Sequence, residues 1–272
     1  MNQYLISIII TVYNKGATLK RCLNSILKNN DKNYELVIIN DGSTDSSIKI
    51  IEEYSRIYSN IKVYNQEHTG IAAIRKNITS YISGKYLLFV DADDTINDKL
   101  LTKLSNCINT YKPDIIKFDV NEINSVKDKN RYMLGVNKIY STGKEALYEW
   151  HDYNVRYGMF CMYCFKKELY EKSIKDWFCS LECYEDVANI PKIIYFSKKI
   201  VSIDYLGYNY HRNKGSITSR YTKEYKLSQF QTAYDNLLDF FQYQLGKDDK
   251  LYLSIKDYYT FHLKRKMKEL DN

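Results

Sequence analysis

Hydrophobic runs and helix-spaced apolar positions alternate along the first hundred residues. Four short runs rich in β-branched residues predict buried strands at 5–11, 35–39, 61–64 and 86–90. Between them, apolar residues recur every three or four positions, which predicts helices at 18–27, from 44 or 45 onward, and at 71–82. Strands that are apolar throughout and separated by helices are typical of βαβ units. This half of the chain therefore predicts an α/β fold with a mostly parallel sheet flanked by helices.

Two details of this pattern are specific enough to check. In the second helix the predicted buried face is Ile48, Ile51 and Tyr54, with Thr44 or Asp45 as the cap. Past residue 220 only helical spacing remains: one helix up to about 245, a break at 246–249, and a second helix over about 251–270. We expect an α/β unit over 1–220, divided at residue 100 into halves 1–100 and 101–220, and a C-terminal helical extension over 221–272.

Composition and charge narrow the class of protein. The 272 residues are 44% hydrophobic and 27% charged, the balance of a globular protein, and the net charge of +7 permits anionic partners. No stretch combines dense Arg with aromatic residues, so nucleic acid is not expected as a partner. The apolar run at 5–12 lacks the basic flank and cleavage site of a signal peptide, and no run reaches the ~18 residues of a membrane span. The sequence predicts a cytoplasmic protein.

The six cysteines allow two interpretations. Cys161 and Cys164, followed by Cys179 and Cys183, have a spacing that resembles a zinc framework. The aromatic residues around the first pair instead favour a buried strand, in which free thiols act as small core residues. In a cytoplasmic protein we expect thiols rather than disulfides.

Polar side chains follow all four predicted strands of the first half. Tyr13 follows strand 1, Asp41 follows strand 2, a loop at 66–70 follows strand 3, and an acidic turn at 91–94 follows strand 4. In open α/β sheets ligands bind outside these carboxyl ends. The glycine-rich phosphate loops of dinucleotide-binding and P-loop proteins are absent, and carboxylates two residues apart suit Mg²⁺ or Mn²⁺. The alternative for the acidic turn is helix capping by Asp94 or Thr95.

Three motifs occur in order: SIIITVYN at 7–14, ELVIINDGSTD at 35–45 and LFVDADD at 88–94. Together they resemble the nucleotide-sugar-binding half of glycosyltransferase family 2, whose members are inverting enzymes of the GT-A fold. Farther on, YEDV at 184–187 is similar to the family's acidic catalytic motif, and the segment 208–218 to the one that closes the active site in bacterial capsule and cell-surface members. The resemblance implies that 1–100 is the nucleotide-binding half and 101–220 the acceptor and catalytic half.

The resemblance also implies roles for the donor site. Tyr13 would stack on uracil with Thr11 beside it, Asp41 would accept the imide hydrogen bond, and Asp91 would contact the ribose or the sugar. Asp93 would ligate the metal. Arg75 falls where the family has an Arg, but its neighbours Ile74 and Lys76 depart from the usual triplet; the alternative is a solvated helix arginine.

The second half supplies the remaining candidates. An acceptor hydroxyl must lose a proton as it attacks, so we expect a carboxylate base; Asp186 is the candidate and Glu185 its rival. A helix N-terminal charge pair is the alternative for both. His211 would ligate the metal, and Arg212 and Ser216 would contact the diphosphate, with a one-residue slip between His211 and Arg212 left open. His68 is interpreted as a structural or solvent-facing histidine.

The sequence therefore predicts an inverting, metal-dependent glycosyltransferase that uses Mn²⁺ or Mg²⁺ and a nucleotide-sugar, a UDP-sugar first of all. It would move a hexosyl or N-acetylhexosaminyl group to a surface polysaccharide, a lipid-linked saccharide or a glycoprotein glycan. The alternatives are a non-catalytic glycan-binding or scaffold descendant of the fold and a sugar nucleotidyltransferase. The basic end at 262–268 predicts either a solvated helix terminus or peripheral contact with anionic membrane at its inner face.

Overall fold

The computed structural model describes residues 4–123, 135–152, 158–212 and 221–268. Within these ranges the chain forms a single nine-stranded sheet flanked by helices. The strands are β1 (Ile6–Val12), β2 (Tyr34–Asp41), β3 (Ile61–Gln66), β4 (Tyr86–Phe89), β5 (Thr95–Ile96), β6 (Ile115–Ile123), β7 (Lys138–Tyr140), β8 (Tyr163–Lys166) and β9 (Ile200–His211). The helices are α1 (Leu19–Leu27), α2 (Ser47–Ile57), α3 (Ile71–Asn77), α4 (Leu100–Tyr111), α5 (Gly143–Asp152), α6 (Lys167–Ile174), α7 (Glu185–Tyr195), α8 (Lys223–Leu245) and α9 (Lys250–Lys268).

The strand order is β3-β2-β1-β4-β8-β6-β9-β5, and β7 pairs with β9. Strands β1 to β4 are parallel to one another, as predicted, and β6 is parallel to β9. Strand β8 joins the two halves of the sheet by antiparallel pairing with β4 and with β6. The four longest ladders are parallel, so the predicted α/β fold class is confirmed.

A network of polar contacts at the start of β1 connects this strand with β2, with β3 and with the turn before β4. Ser7 Oγ donates a hydrogen bond of 2.5 Å to the buried carboxylate of Glu35 on β2, and the Lys62 ammonium lies 2.6 Å from the same carboxylate. The backbone N–H of Gly84 donates to Ser7 Oγ at 2.8 Å. A Cβ atom at residue 84 would lie 2.5 Å from the backbone nitrogen of Ser7. Only glycine therefore allows the chain to enter β4 beside β1.

Three helix predictions need correction. The N-cap of α2 is Ser46 rather than Thr44 or Asp45, although Asp45 Oδ1 accepts a hydrogen bond of 2.9 Å from the Ser47 backbone N–H. In α2 the buried residues are Ser47, Ile50, Ile51 and Tyr54, whereas Ile48 is 38% exposed. Ile48 lies about 100° around the helix from Ser47, which takes it off the buried stripe. The predicted helix over 71–82 is also too long, because α3 ends at Asn77 and continues as one 3₁₀ turn.

The C-terminal part forms the two predicted helices, α8 and α9. Gly246, with φ +82°, ends α8, and α9 begins four residues later. The aromatic side chains Phe240 and Phe241 of α8 pack edge-on against Tyr195 of α7, so this helical pair is built onto the sheet domain. No helix among the described residues is both long and apolar enough to cross a membrane.

Candidate active site

The parallel strands β1 to β4 bring their carboxyl ends to one edge of the sheet, as the sequence predicts. Thr11 is half-buried near the end of β1, and Tyr13 follows that strand. Asn14 fixes the turn: it adopts φ 51°, and its Oδ1 accepts a hydrogen bond of 2.8 Å from the backbone N–H of Thr44. Asn tolerates this left-handed conformation better than most residues.

Asp41, at the end of β2, is 1% exposed and organises the loop that follows β3. Its Oδ1 accepts hydrogen bonds from Gln66 Nε2 at 2.7 Å and from the Thr69 backbone N–H at 2.9 Å. Its Oδ2 accepts one from the Gly70 N–H at 2.9 Å and lies 2.8 Å from His68 Nδ1. Burial alone would raise the pKa of Asp41, but these hydrogen bonds and the charge of His68 outweigh it and lower the pKa.

His68 lies on the ring of Tyr13. The two ring centroids are 3.9 Å apart and the planes are inclined by 16°, which is a stacked arrangement. About half of the His68 side chain is exposed. Sequence reasoning gave His68 no role at this site; its place in the loop after β3, at the carboxyl edge of the sheet, was the signal that could have found it.

The acidic turn, Asp91 to Asp94, leaves β4 and is tied to β9. The Asp91 backbone N–H donates to the Tyr208 hydroxyl at 3.1 Å, and that hydroxyl donates to Asp94 Oδ2 at 2.7 Å. Asp94 Oδ1 accepts the His211 backbone N–H at 2.7 Å. Helix α4 begins at Leu100 with Lys99 as its cap, so the capping alternative for Asp94 or Thr95 is wrong. Tyr208 begins the segment 208–218 that the resemblance relates to closing of the active site, but its contact with the acidic turn was not predicted.

Two carboxyl groups of the acidic turn have raised pKa values. Burial raises the pKa of Asp94 to about 8, and repulsion from Asp91 adds to it against the hydrogen bonds from His211 and Tyr208. Burial also raises the pKa of Asp91, although the Arg75 charge opposes it. Crowded carboxyl groups resist being ionised together.

Asp93 is held by basic side chains that sequence reasoning missed. The Lys15 ammonium lies 2.5 Å from Asp93 Oδ2, and Arg21 Nη2 donates to the Asp93 carbonyl oxygen at 2.6 Å. His211 Nε2 is 3.1 Å from Thr95 Oγ1, beside this turn. Partial burial lowers the pKa of His211, and the nearby Arg21 charge lowers it further while Asp93 raises it. A lowered pKa keeps the imidazole neutral, which is the form that binds metals.

Arg75 lies beneath the acidic turn and is 6% exposed, so the alternative of a solvated helix arginine is wrong. Its guanidinium forms an ion pair with Glu185 and lies 3.8 Å from Asp91 Oδ1. It also stacks over the Phe160 ring at 4.3 Å. Burial alone would lower the pKa of Arg75, but the charges of Glu185 and Asp91 raise it. Arg75 thus connects the acidic turn, in the first half of the sequence, with Glu185 in the second half.

Glu185 and Asp186 open α7, and their side chains differ. Glu185 is buried and paired with Arg75. Asp186 Oδ1 accepts the Val187 backbone N–H at 2.8 Å. Burial, followed by repulsion from Glu185, raises the pKa of Asp186 to about 8, although Arg75 opposes the shift. A carboxyl group with a pKa near neutrality is suited to accept a proton in catalysis.

The remaining predicted residues lie at the end of β9 or beyond it. Arg212 forms an ion pair with the buried carboxylate of Glu122 on β6. Ser216 lies outside the described residues. Within residues 4–123, 135–152, 158–212 and 221–268, no three His, Cys, Asp or Glu side chains are grouped so as to hold a metal ion. That finding covers the four-cysteine alternative as well, whose Cys161, Cys164 and Cys183 are buried thiols.

A model of the family described as glycosyl transferase family 2 matches residues 7–173, more than half of the chain. The chain is 28% identical to the glycosyltransferase GlyG of Streptococcus pneumoniae over 222 residues. This alignment covers 78% of this chain and 72% of GlyG. It is 40% identical to GlyA of the same organism over 110 residues, 40% of this chain but only 16% of GlyA.

Two solved structures share the fold. Staphylococcus aureus TarS 1–349 in complex with UDP-GlcNAc aligns with a TM-score of 0.70 and 21% identity, over 86% of this chain and 67% of that one. The mannosyltransferase PcManGT from Pyrobaculum calidifontis, in complex with GDP-Man and Mn²⁺, aligns with a TM-score of 0.68 and 12% identity, over 98% of this chain and 73% of that one. At these identities the likeness concerns the fold.

Proposed function

Because the chain belongs to glycosyltransferase family 2, we propose that it moves a sugar from a nucleotide-sugar, a UDP-sugar first of all, to an acceptor hydroxyl with inversion. The observation that carries the proposal is the meeting of Asp91, Glu185 and Asp186 around Arg75. This cluster connects the sheet edge at which a nucleotide-sugar donor would bind with the Asp186 carboxyl group, whose pKa is about 8.

The donor would bind along the edge formed by β1, β2 and β4. Tyr13 offers a ring for stacking on the base, with Thr11 beside it, and His68 already occupies one stacking position. The proposed hydrogen bond from the uracil imide to Asp41 requires one of its present donors to move aside. The side chains of Gln66 and His68 can do so, whereas the backbone N–H groups of the loop cannot without unfolding it.

Asp91, Arg212 and Ser216 complete the proposed donor contacts. Asp91 is partly exposed at the acidic turn, where it can accept a hydrogen bond from a ribose or sugar hydroxyl. Arg212, about half exposed, has a guanidinium that can bind diphosphate oxygens if it leaves Glu122. Arg75 would contribute indirectly, because its ion pairs with Glu185 and Asp91 hold those two carboxylates in place.

Asp93 and His211 are the residues that would hold Mn²⁺ or Mg²⁺. They supply a carboxylate oxygen and an imidazole of lowered pKa, a donor set that suits Mn²⁺. The Asp93 carboxylate already binds one cationic group, the Lys15 ammonium, which supports the fit. With only two protein ligands, the diphosphate oxygens would complete the coordination. A bound divalent cation supplies Lewis-acid stabilisation of the departing diphosphate.

Asp186 is the proposed general base. As the acceptor oxygen forms its bond to the anomeric carbon, the carbon–oxygen bond to the diphosphate breaks, and the acceptor proton passes to the Asp186 carboxylate. Glu185 is less suited to this role because the buried guanidinium of Arg75 holds its carboxylate. Attack from the face opposite the leaving group gives inversion.

The acceptor and the sugar are proposed at the level of chemical class. The transferred group would be hexosyl or N-acetylhexosaminyl, and the acceptor a surface polysaccharide, a lipid-linked saccharide or a glycoprotein glycan. A relative named poly(ribitol-phosphate) beta-glucosyltransferase, from Bacillus spizizenii, is 34% identical over 114 residues, 40% of this chain and 18% of that protein. It supports a cell-surface polymer as the acceptor.

Two other functions fit less well. A glycan-binding protein without activity has no need of Asp91, Asp93 and Asp186 together, and this chain retains all three. A sugar nucleotidyltransferase requires a loop rich in glycine and basic residues after the first strand to hold a triphosphate. The short turn at 13–16 does not provide one.

We also propose that the enzyme works in the cytoplasm, peripherally at the inner face of an anionic membrane, through α9. This helix exposes apolar side chains next to basic ones: Leu253, Phe261 and Met267 with Lys264 and Lys268. The protein should sediment with phosphatidylglycerol vesicles and not with neutral ones, and replacing Lys264 and Lys268 by Ala should abolish this. Sedimentation that persists unchanged would leave a solvated helix end as the better interpretation.

A donor screen tests the function itself. UDP-Glc, UDP-Gal, UDP-GlcNAc, UDP-GalNAc and GDP-Man are incubated with the protein and Mn²⁺, and nucleoside diphosphate release is measured. We expect release from at least one UDP-sugar, its loss on chelation of the metal, and its loss in Asp93→Ala. If none of these donors gives turnover or binding, and a TDP-sugar added to the screen gives none either, the proposal is contradicted.

A further inference from the structure

The residue before the proposed base has an unusual backbone. Tyr184 adopts φ 66° and ψ 18°, the left-handed region, directly before Glu185 and Asp186. For a residue with a Cβ atom this conformation is energetically unfavourable. It persists only where surrounding contacts impose it, and such positions cluster at functional sites. The orientation with which α7 begins, and with it the placement of Asp186, depends on what holds Tyr184.

A lysine from the far end of the chain holds it. Lys266, on α9, donates a hydrogen bond of 2.8 Å to the Tyr184 hydroxyl. The same ammonium lies over the Tyr184 ring at 4.6 Å and over the Phe230 ring of α8 at 4.9 Å. Phe230 in turn packs edge-on against Tyr184, with ring centroids 5.3 Å apart. The positive charge therefore sits against two aromatic rings, where cation–π attraction adds to the hydrogen bond.

A second contact from α9 holds the other side of the base. Tyr259 is 3% exposed, and its hydroxyl donates to the carbonyl oxygen of Val187 at 3.3 Å. Val187 is also the residue whose N–H donates to Asp186 Oδ1. Helix α9 thus contacts residues 184 and 187, on both sides of Asp186. Both contacts lie beyond the family match, which ends at residue 173.

We propose that α9 positions the catalytic carboxylate, with Lys266 as a positioning residue that acts on Asp186 through Tyr184. The inference rests on the proposed function, because it assumes that Asp186 is the base. It assigns a positioning role to one lysine of the basic helix end, whereas the neighbouring Lys264 is exposed. A displacement of ~1 Å at a reacting group can lower a rate by up to ~10²-fold, so the loss of this clamp should be seen in turnover.

The test uses five variants of the full chain, with kcat for sugar transfer and the Kd for UDP measured in each. Lys266→Met keeps the length of the side chain and removes its charge; we expect kcat to fall about tenfold while Kd stays within about twofold. Lys266→Arg, which can still donate a hydrogen bond and stack on both rings, should restore most of the loss. Lys256→Met, an exposed position on the same helix, is the matched control and should leave both values unchanged.

Tyr184→Phe keeps the rings and removes only the hydrogen-bond acceptor, so kcat should fall about threefold with an unchanged Kd. It also decides the question if Lys266→Met fails to fold. The inference is overturned if kcat in the foldable variants matches that of Lys256→Met, if Arg does not rescue it, or if Kd rises as kcat falls. Asp186→Asn separates the two levels: normal transfer there overturns the proposed base and this inference together. Loss of transfer in Asp186→Asn with normal Lys266→Met overturns the positioning role alone.

Discussion

Two carboxyl groups of the proposed site, Asp41 at the end of β2 and Asp186 at the start of α7, have pKa values shifted in opposite directions. Asp41 receives hydrogen bonds from Gln66, Thr69 and Gly70, and its pKa is lowered despite burial. Burial, followed by repulsion from Glu185, raises the pKa of Asp186 to about 8 despite the Arg75 charge. The first group is stabilised as an anion, and the second is not.

The difference separates a carboxylate that is stabilised as an anion and orders a loop from the carboxyl group proposed as the base. Ionised Asp41 orders the loop that carries His68, which stacks on Tyr13. Asp186 is held where ionisation is costly, so it binds a proton at a pH at which ordinary aspartates have none. Because its pKa is raised on folding, ionisation of Asp186 opposes folding and its charge does not stabilise the protein.

The largest effect is expected from removing the base. Asp186→Asn keeps the shape of the side chain but cannot accept the acceptor proton, so kcat should fall ~10²-fold or more while UDP affinity stays within a few-fold. Steady-state transfer assays and calorimetry measure the two quantities. Glu185→Gln is the matched control: its kcat loss should be smaller, and its thermal stability should fall because Arg75 keeps a buried charge without its main partner. Equal kcat losses in the two variants would contradict the assignment of Asp186, rather than Glu185, as the base.

A second effect concerns the cation. Asp93→Ala removes the proposed carboxylate ligand, so the affinity for UDP in the presence of Mn²⁺ should fall at least about tenfold, the scale expected for loss of a metal contact. Calorimetry with and without Mn²⁺ measures it. Unchanged affinity in Mn²⁺ would exclude Asp93 as a ligand and leave it as the ion-pair partner of Lys15.

The pH dependence follows from the sign of the Asp186 shift. A base must be ionised, and a pKa of about 8 means that the ionised fraction falls about tenfold for each pH unit below that value. The quantity kcat/KM should therefore rise between pH 6 and 8 and then level. The same profile in Lys256→Met serves as the control, and a profile that is flat from pH 5 to 9 would be inconsistent with Asp186 as the base.

The smallest effect on kcat, and the clearest effect on the free energy of unfolding, is expected at Asp41, because its proposed contact is with the base of the donor and not with the reacting atoms. Asp41→Asn leaves buried backbone N–H donors of the 66–70 loop poorly paired, which should lower the free energy of unfolding by about 1–3 kcal/mol. Because the pKa of Asp41 is lowered on folding, its contribution is present above an ordinary aspartate pKa and is lost as the pH falls. Denaturant titration at pH 7 measures the change. Asp186→Asn should be no less stable than the wild type there, since a carboxyl group with a pKa of about 8 is mostly neutral at pH 7 and the Asn oxygen can still accept the Val187 N–H.

Local sequence patterns predict which residues lie at the carboxyl edge of the sheet. They do not predict the contacts that these residues make with distant parts of the chain. The apolar runs and the polar residues that end them predict β1 to β4 and bring Tyr13, Asp41 and the acidic turn together, because parallel strands place their carboxyl ends on one side. Glu185 and Asp186 were found by their motif. Residue type alone did not distinguish the paired Glu185 from the raised-pKa Asp186, because Arg75 makes the difference and lies more than a hundred residues away.

Contacts between distant segments left no local signal. Nothing in the helical spacing of α9 distinguishes Lys266, which turns inward to Tyr184, from the exposed Lys264. Tyr208 is one of 28 tyrosines, and only the pairing of β9 with β5 and β6 brings it to the acidic turn. The ion pair of Lys15 with Asp93 spans two strand ends in the same way.

The most direct test of this account is a carboxyl NMR titration of the metal-free, nucleotide-free protein, with Asp186→Asn and Asp41→Asn spectra used for assignment. We predict that the resonance missing in Asp186→Asn titrates near pH 8, and that the one missing in Asp41→Asn titrates below the ordinary value of 3.8. If Asp186 instead titrates near pH 4, together with the surface aspartates, the contrast between the two carboxyl groups is contradicted. A raised pKa would then no longer support Asp186 as the base.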